Sequence, residues 1–184
     1  MYLQKSPLKI SLDLDGTIFD WENHFKNKFG TVTKESDITK IVRNKLVHDS
    51  EFWLTQPIIN FPNFVPSIYC TARIISKYLI KKQLEINNLP KAPVYQILGY
   101  GISKYSKVKM GGCHLHIDDS LSVFIDLNKK GIPCLLLDSP SNQKWGPVGK
   151  IYSLDKEEIE ECYHLFMNTI FSDFKDLLEE YERY

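Results

Sequence analysis

Residues 11–20 read SLDLDGTIFD, and how that stretch is interpreted decides the fold. Ile10, Leu12 and Leu14, led in by Leu8, mark a strand over Leu8–Leu14. A buried strand does not ordinarily carry Asp13 and Asp15, because an unpaired buried charge is very costly. Two carboxylates at a strand end, followed by the turn-forming Gly16 and then Thr17, make sense where something positive sits. A divalent metal together with a chemical task accounts for both.

Five more short apolar runs follow, at Ser67–Cys70, Val94–Leu98, Cys113–Ile117, Pro133–Leu137 and Lys150–Tyr152. They are continuous and separated by helix-sized segments, which predicts an α/β fold with a doubly wound, Rossmann-like parallel sheet. The intervening helices are expected over Ile74–Asn87 and Leu121–Lys130, the latter capped by Gly131. Leu154–Tyr184 places Ile159, Cys162, Phe166, Ile170, Phe174, Leu177, Leu178 and Tyr181 at helical spacing, as one or two helices on the sheet. Ser139–Pro147, SPSNQKWGP, reads as a surface loop.

The stretch from Trp21 to about Pro62 breaks this rhythm and is too long for a strand-to-helix turn. Helical stripes recur in it: Phe25 and Phe29; Ile38, Ile41, Val42 and Leu46; then Phe52-Trp53-Leu54. Residues 1–20 and 63–184 are therefore expected to form the α/β core, and residues 21–62 a small helical cap able to lean over the site. Trp21, Phe25, Phe52 and Trp53 are core candidates that could also stack on a nucleobase.

At 184 residues the chain is of single-domain size, and its 43% hydrophobic and 25% charged content is ordinary for a globular protein. Its net charge of zero hides an asymmetry: from Asp155 onward ten acids face three bases, a net of −7 against +7 before it. A mildly basic body suits an anionic substrate, but there is no basic stripe for extended nucleic-acid binding. Met1–Lys9 does not read as a secretory signal, and no apolar run approaches the roughly 20 residues that cross a bilayer. Cys70, Cys113, Cys134 and Cys162 form no CxxC pair and read as reduced core residues, so a cytoplasmic protein is expected.

Ligands of open α/β sheets bind beyond the carboxyl ends of the strands, and the polar residues collect there. Strand one ends in Asp13-Leu14-Asp15-Gly16-Thr17, strand two in Cys70-Thr71-Ala72-Arg73, and strand four in Ile117-Asp118-Asp119-Ser120; Gly101-Ile102-Ser103-Lys104 follows strand three. DLDGT, then IYCTAR, then a lysine, then HIDDS resembles the four ordered motifs of the haloacid dehalogenase superfamily of phosphohydrolases, over most of residues 8–138. The early helical insertion resembles that superfamily's small first-position (C1-type) cap. The short chain and the IDD ending are similar to its 5′(3′)-deoxyribonucleotidase-like members.

The resemblance implies a phosphatase with Asp13 as nucleophile and Asp15 as acid/base. Gly16 turns the chain and Thr17 holds the turn by its hydroxyl, Thr71 donates to a phosphoryl oxygen, and a lysine shields nucleophile from phosphate. Mg2+ would sit on Asp13, the Asp15 carbonyl and Asp118, with Asp119 through water or outside the first ring of ligands and Ser120 orienting the pair. Lys104 follows the N-capping Ser103 and is the preferred lysine; Lys107, three residues on, is the alternative. Arg73 is a candidate for substrate phosphate or base, or else a surface arginine at a helix start. In His114-Leu115-His116, strand rise sets His114 roughly 13 Å behind Asp118, which makes it a packed or surface-edge histidine; His116 reads as a packed strand residue, with a place behind Asp118 as the lesser alternative. The expected substrate is a small phosphomonoester, with a (deoxy)nucleoside monophosphate first. A sugar phosphate, a nucleic-acid end phosphate, or a non-catalytic binding role on the same fold are the alternatives.

Overall fold

The computed structural model describes residues 7–32, 34–97, 102–169 and 171–174. The expectations placed on Leu98, Gly101, Ile170, Leu177, Leu178 and Tyr181 lie outside these residues. All six expected strands are present with ends shifted by a residue or more, β2 and β4 each running one residue past the expected carboxyl end: β1 Ile10–Leu12, β2 Ile68–Thr71, β3 Val94–Gln96, β4 Leu115–Asp118, β5 Cys134–Leu137 and β6 Lys150–Ile151. They form one all-parallel sheet in the order β3-β2-β1-β4-β5-β6. This is a Rossmann-like order: the chain runs outward from β1 to β3, then returns to β4 beside β1 and runs outward the other way. Every residue of β1, β2, β4 and β5 is buried, which is why those runs read as continuous apolar stretches without alternation.

Between β1 and β2 lie α1 Trp21–Phe29, α2 Glu35–Ile41 running into a π turn at Val42–Leu46, and α3 Ser50–Leu54. Asp20 and Asp49 cap α1 and α3 by accepting the Asn23 and Phe52 amides. Phe25, Val42, Leu46, Phe52 and Trp53 are buried in the same continuous hydrophobic core as the sheet. The insertion is thus helical, as expected, and packed onto the body without an apolar centre of its own.

α4 covers Lys77–Ile86, starting three residues later than the periodicity predicts. Ser76 caps it by accepting the Leu79 amide at 3.2 Å, and Gln96 Nε2 donates to the Arg73 and Ile75 carbonyls at 3.1 and 2.8 Å, holding that segment out of the helix. α5 Tyr105–Met110 precedes β4, α6 Leu121–Lys129 follows it, and α7 Lys156–Thr169 packs after β6. Gly131 ends α6 as expected, at φ 78°, with the Ile132 amide returning to Leu127.

The SPSNQKWGP segment is a surface loop, as expected, with most of its residues exposed, but Ser139, Asn142 and Trp145 turn inward. Asn142 is 1% and Trp145 4% exposed. Asn142 donates to the Leu137 and Asp119 carbonyls at 2.8 and 2.9 Å, so the segment fastens the end of β5 to the end of β4. Polar composition hid this, because the buried side chain is itself polar.

Candidate active site

β1 and β4 are neighbours at the point where the strand order reverses, and the site lies at their carboxyl ends. β1 delivers Asp13, β4 delivers Asp118 and Asp119, and the turn before α5 delivers Lys104. Oxygens of Asp13, Asp118 and Asp119 lie within 4.8 Å of one another, close enough to hold a metal ion together. Lys104 is only 3% exposed, and its Nζ stands 2.6 Å from both Asp13 Oδ1 and Asp118 Oδ2. The Asp118 contact is a hydrogen bond. The Asp13 contact is a close ion pair, so one ammonium bridges the two carboxylates.

The sequence left Lys104 and Lys107 as alternatives. Lys104 is the one brought to the carboxylates, while Lys107 sits half-buried one turn into α5 and does not line the cavity there. Ser103 secures the start of α5: its Oγ accepts the Tyr105 amide at 3.2 Å and donates to Asp126 at 2.5 Å.

Asp15 stands apart from the trio. Its two carboxylate oxygens accept Arg73 Nη2 at 2.6 Å and Arg73 Nε at 2.8 Å, a two-pronged pair. Arg73 is neither on the surface nor in a helix, and it does not line the cavity as a substrate ligand would. It is 1% exposed, donates to Gln56 at 2.8 Å and to Gln83, and is sandwiched between the rings of Phe19 and Trp53 at 5.1 and 5.0 Å. Gln56 and Gln83 carry no recognisable sequence signal; only the fold brings them together.

Gly16 has φ 76°, and a Cβ there would lie 2.1 Å from Asp119 Oδ2. Glycine is required both for the turn and for the close approach of Asp119. Thr17 departs from expectation: its hydroxyl is buried without a hydrogen-bond partner among the described residues. The turn is held by backbone bonds instead, from the Gly16 amide to Phe19 at 2.8 Å and from the Ile18 and Phe19 amides to Leu14 at 2.9 Å each. Asn60 caps the Thr17 carbonyl at 2.9 Å. Thr71 is buried and lines the cavity, its Oγ1 accepting the Arg73 amide at 3.3 Å. Ser120 holds Asp118 through its backbone amide, 3.0 Å from Oδ1.

A cavity of about 560 Å3 opens over these groups. Trp21, Ile97, Ile102 and Val123 give it apolar walls, and Ser103 and Ser122 polar ones. Of the four aromatics considered for base stacking, Trp21 alone lines this cavity. It stacks on Trp53 at 5.3 Å, while Phe25, Phe52 and Trp53 are core. His116 lies directly behind Asp118, with Nε2 2.9 Å from Oδ2; His114 is at the other end of the strand, accepting the Lys9 amide at 3.2 Å.

Four carboxylates, Asp13, Asp15, Asp118 and Asp119, meet two permanent cations, Lys104 and Arg73, so negative charge is in excess. Burial, reinforced by Asp118 against the pull of Lys104, pushes Asp13 up. Burial together with the Asp118 and Asp13 charges pushes Asp119 well up. Asp118 goes the other way: burial opposes its charge, but Lys104 and the His116 bond outweigh it and hold it low. Burial likewise opposes the charge on Lys104, and Asp118 and Asp13 overcome it and push its pKa up. An all-oxygen trio with surplus negative charge fits a hard divalent cation. Among the described residues no helix is long and apolar enough to cross a membrane, and all four cysteines are free thiols. No protein-family model matches this chain, and no curated protein matches its sequence.

Proposed function

We propose that the chain is a Mg2+-dependent phosphomonoester hydrolase of the haloacid dehalogenase type, acting on a small phosphorylated substrate, with a (deoxy)nucleoside monophosphate as the class its cavity suits. The observation that carries this reading is Lys104 Nζ at 2.6 Å from both Asp13 and Asp118, at the floor of the cavity and at the switch point of the sheet. A lysine buried between two acids serves a reaction in which a dianion must approach a carboxylate.

In this reading Asp13 attacks phosphorus, a new P–O bond forms to its carboxylate, and the bond to the leaving oxygen breaks. Asp15 gives the leaving oxygen its proton. It then takes one from the water that attacks the aspartyl-phosphate, which frees Asp13 and releases phosphate. Arg73 binds both Asp15 oxygens, so each transfer requires one of these two bonds to open and leaves the other to hold the carboxyl in place. Thr71 offers its hydroxyl to a phosphoryl oxygen, and Lys104 offsets the charge of nucleophile and phosphate. A Mg2+ ion held by Asp13, Asp118, Asp119 and the Asp15 carbonyl would supply further charge neutralisation. The aliphatic and indole walls around Trp21, Ile97, Ile102 and Val123 suit a flat apolar leaving group better than a polyhydroxylated sugar.

The test is phosphate release, with and without Mg2+, from ribo- and deoxynucleoside 5′- and 3′-monophosphates, sugar phosphates and a phosphorylated oligonucleotide. Mg2+-dependent release from mononucleotides, abolished by Asp13→Asn, is the expected result. Preference for sugar phosphates or the oligonucleotide would overturn the substrate class, and release from none of them would overturn the activity.

A further inference from the structure

The centre of the sheet holds two polar residues that an apolar core does not need. Ser11 on β1 and His116 on β4 are register partners, and both are fully buried. His116 Nδ1 stands 2.6 Å from Ser11 Oγ, and its Nε2 2.9 Å from Asp118 Oδ2. The two ring nitrogens thus have different partners, and a neutral imidazole carries one proton between them. A carboxylate only accepts, so that proton belongs on Nε2, and Nδ1 is left to accept the Ser11 hydroxyl. The chain Ser11 Oγ–H to Nδ1, then Nε2–H to Asp118, has one consistent direction.

Asp118 is thereby pinned at three points. Oδ2 accepts both Lys104 and His116, and Oδ1 accepts the Ser120 amide. Lys104 cannot fix the carboxylate by itself, since the same Nζ also pairs with Asp13. If the role were only to fill space, Val or Ile at both positions would pack the same layer without desolvating a hydroxyl and an imidazole.

We infer that His116 and Ser11 are positioning residues that hold Asp118 in the orientation needed for the divalent-cation site, and so set the affinity of that site. The inference rests on the metal-dependent reading above, and its test does not use turnover. The full chain is titrated with Mn2+ while free Mn2+ is followed by electron paramagnetic resonance, with circular dichroism checking the fold of each variant. His116→Leu is expected to weaken Mn2+ binding about 10- to 100-fold, as losses behind a ligand do. His116→Gln, which keeps an N–H donor in reach of Asp118, should recover most of the affinity. Ser11→Ala should weaken binding to a smaller degree, by freeing the ring. Folded His116→Leu and Ser11→Ala with wild-type affinity would overturn the positioning role and leave the phosphatase reading intact. If His116→Leu does not fold, Ser11→Ala decides alone: unchanged affinity overturns the role. A wild-type chain without saturable Mn2+ binding would overturn both readings.

Discussion

Single residues at this site are constrained by close approach as much as by chemistry. Gly16 is the clearest case, with its positive φ and with Asp119 lying where a side chain would go. Gly16→Ala would strain the backbone by about 1–2 kcal/mol and force Asp119 off its position. It should lower the urea midpoint and weaken Mn2+ binding together. A variant that loses stability but binds Mn2+ normally would show that Asp119 is not held by this contact. Asp13, Asp15 and Gly16 were all legible in DLDGT, because carboxylates ending an apolar run have few structural explanations. Thr17 was misjudged, since a hydroxyl beside a turn suggests a cap, yet the backbone closes the turn by itself.

At the scale of elements, Arg73 joins pieces that are far apart in the chain. It follows β2, bonds Asp15 after β1, Gln56 after α3 and Gln83 within α4, and stacks on Trp53 of α3. The insertion is thereby tied to Asp15 through the Arg73 side chain. Arg73→Met should destabilise the chain by on the order of 3 kcal/mol, because Asp15 and the Gln83 oxygen lose their donor while Gln56 keeps only Gln83 Nε2. Urea unfolding measures this, and a loss below about 1 kcal/mol would mean that water replaces the arginine without cost. Arg73→Lys should restore little, as an ammonium cannot span both Asp15 oxygens and both glutamines. A single sequence carries no trace of such a junction, whose members share no spacing or motif.

For the whole molecule, surplus negative charge in the core shapes the response to pH. Burial holds Asp13 above its ordinary value of 3.8, and Asp119 shifts the same way. Between that value and the raised ones, the folded chain keeps protons that the unfolded chain has released, so stability falls as pH rises. Asp118 is lowered, and its stabilising contribution is lost only as pH falls below the ordinary range. With cations chelated, the urea midpoint should therefore drop from about pH 5 to about pH 8. Saturating Mg2+ or Asp13→Asn should flatten that drop, and Asp13→Asn should be the more stable protein at the upper end. A midpoint that fails to drop over this range would mean that the buried acids are ionised throughout.

The amino-acid sequence by itself determined the α/β class, the six strands, the helical insertion and the placing of the acidic pairs at strand ends. Those features rest on local signals: runs of apolar residues, helical periodicity, and charges where burial should forbid them. The tertiary structure alone decided that Lys104 rather than Lys107 meets the carboxylates, that Arg73 serves Asp15, and that His116 and Ser11 stand behind Asp118. These are contacts between residues distant in sequence. They depend on strand register and on which buried polar groups find each other, and neither is set by local propensity.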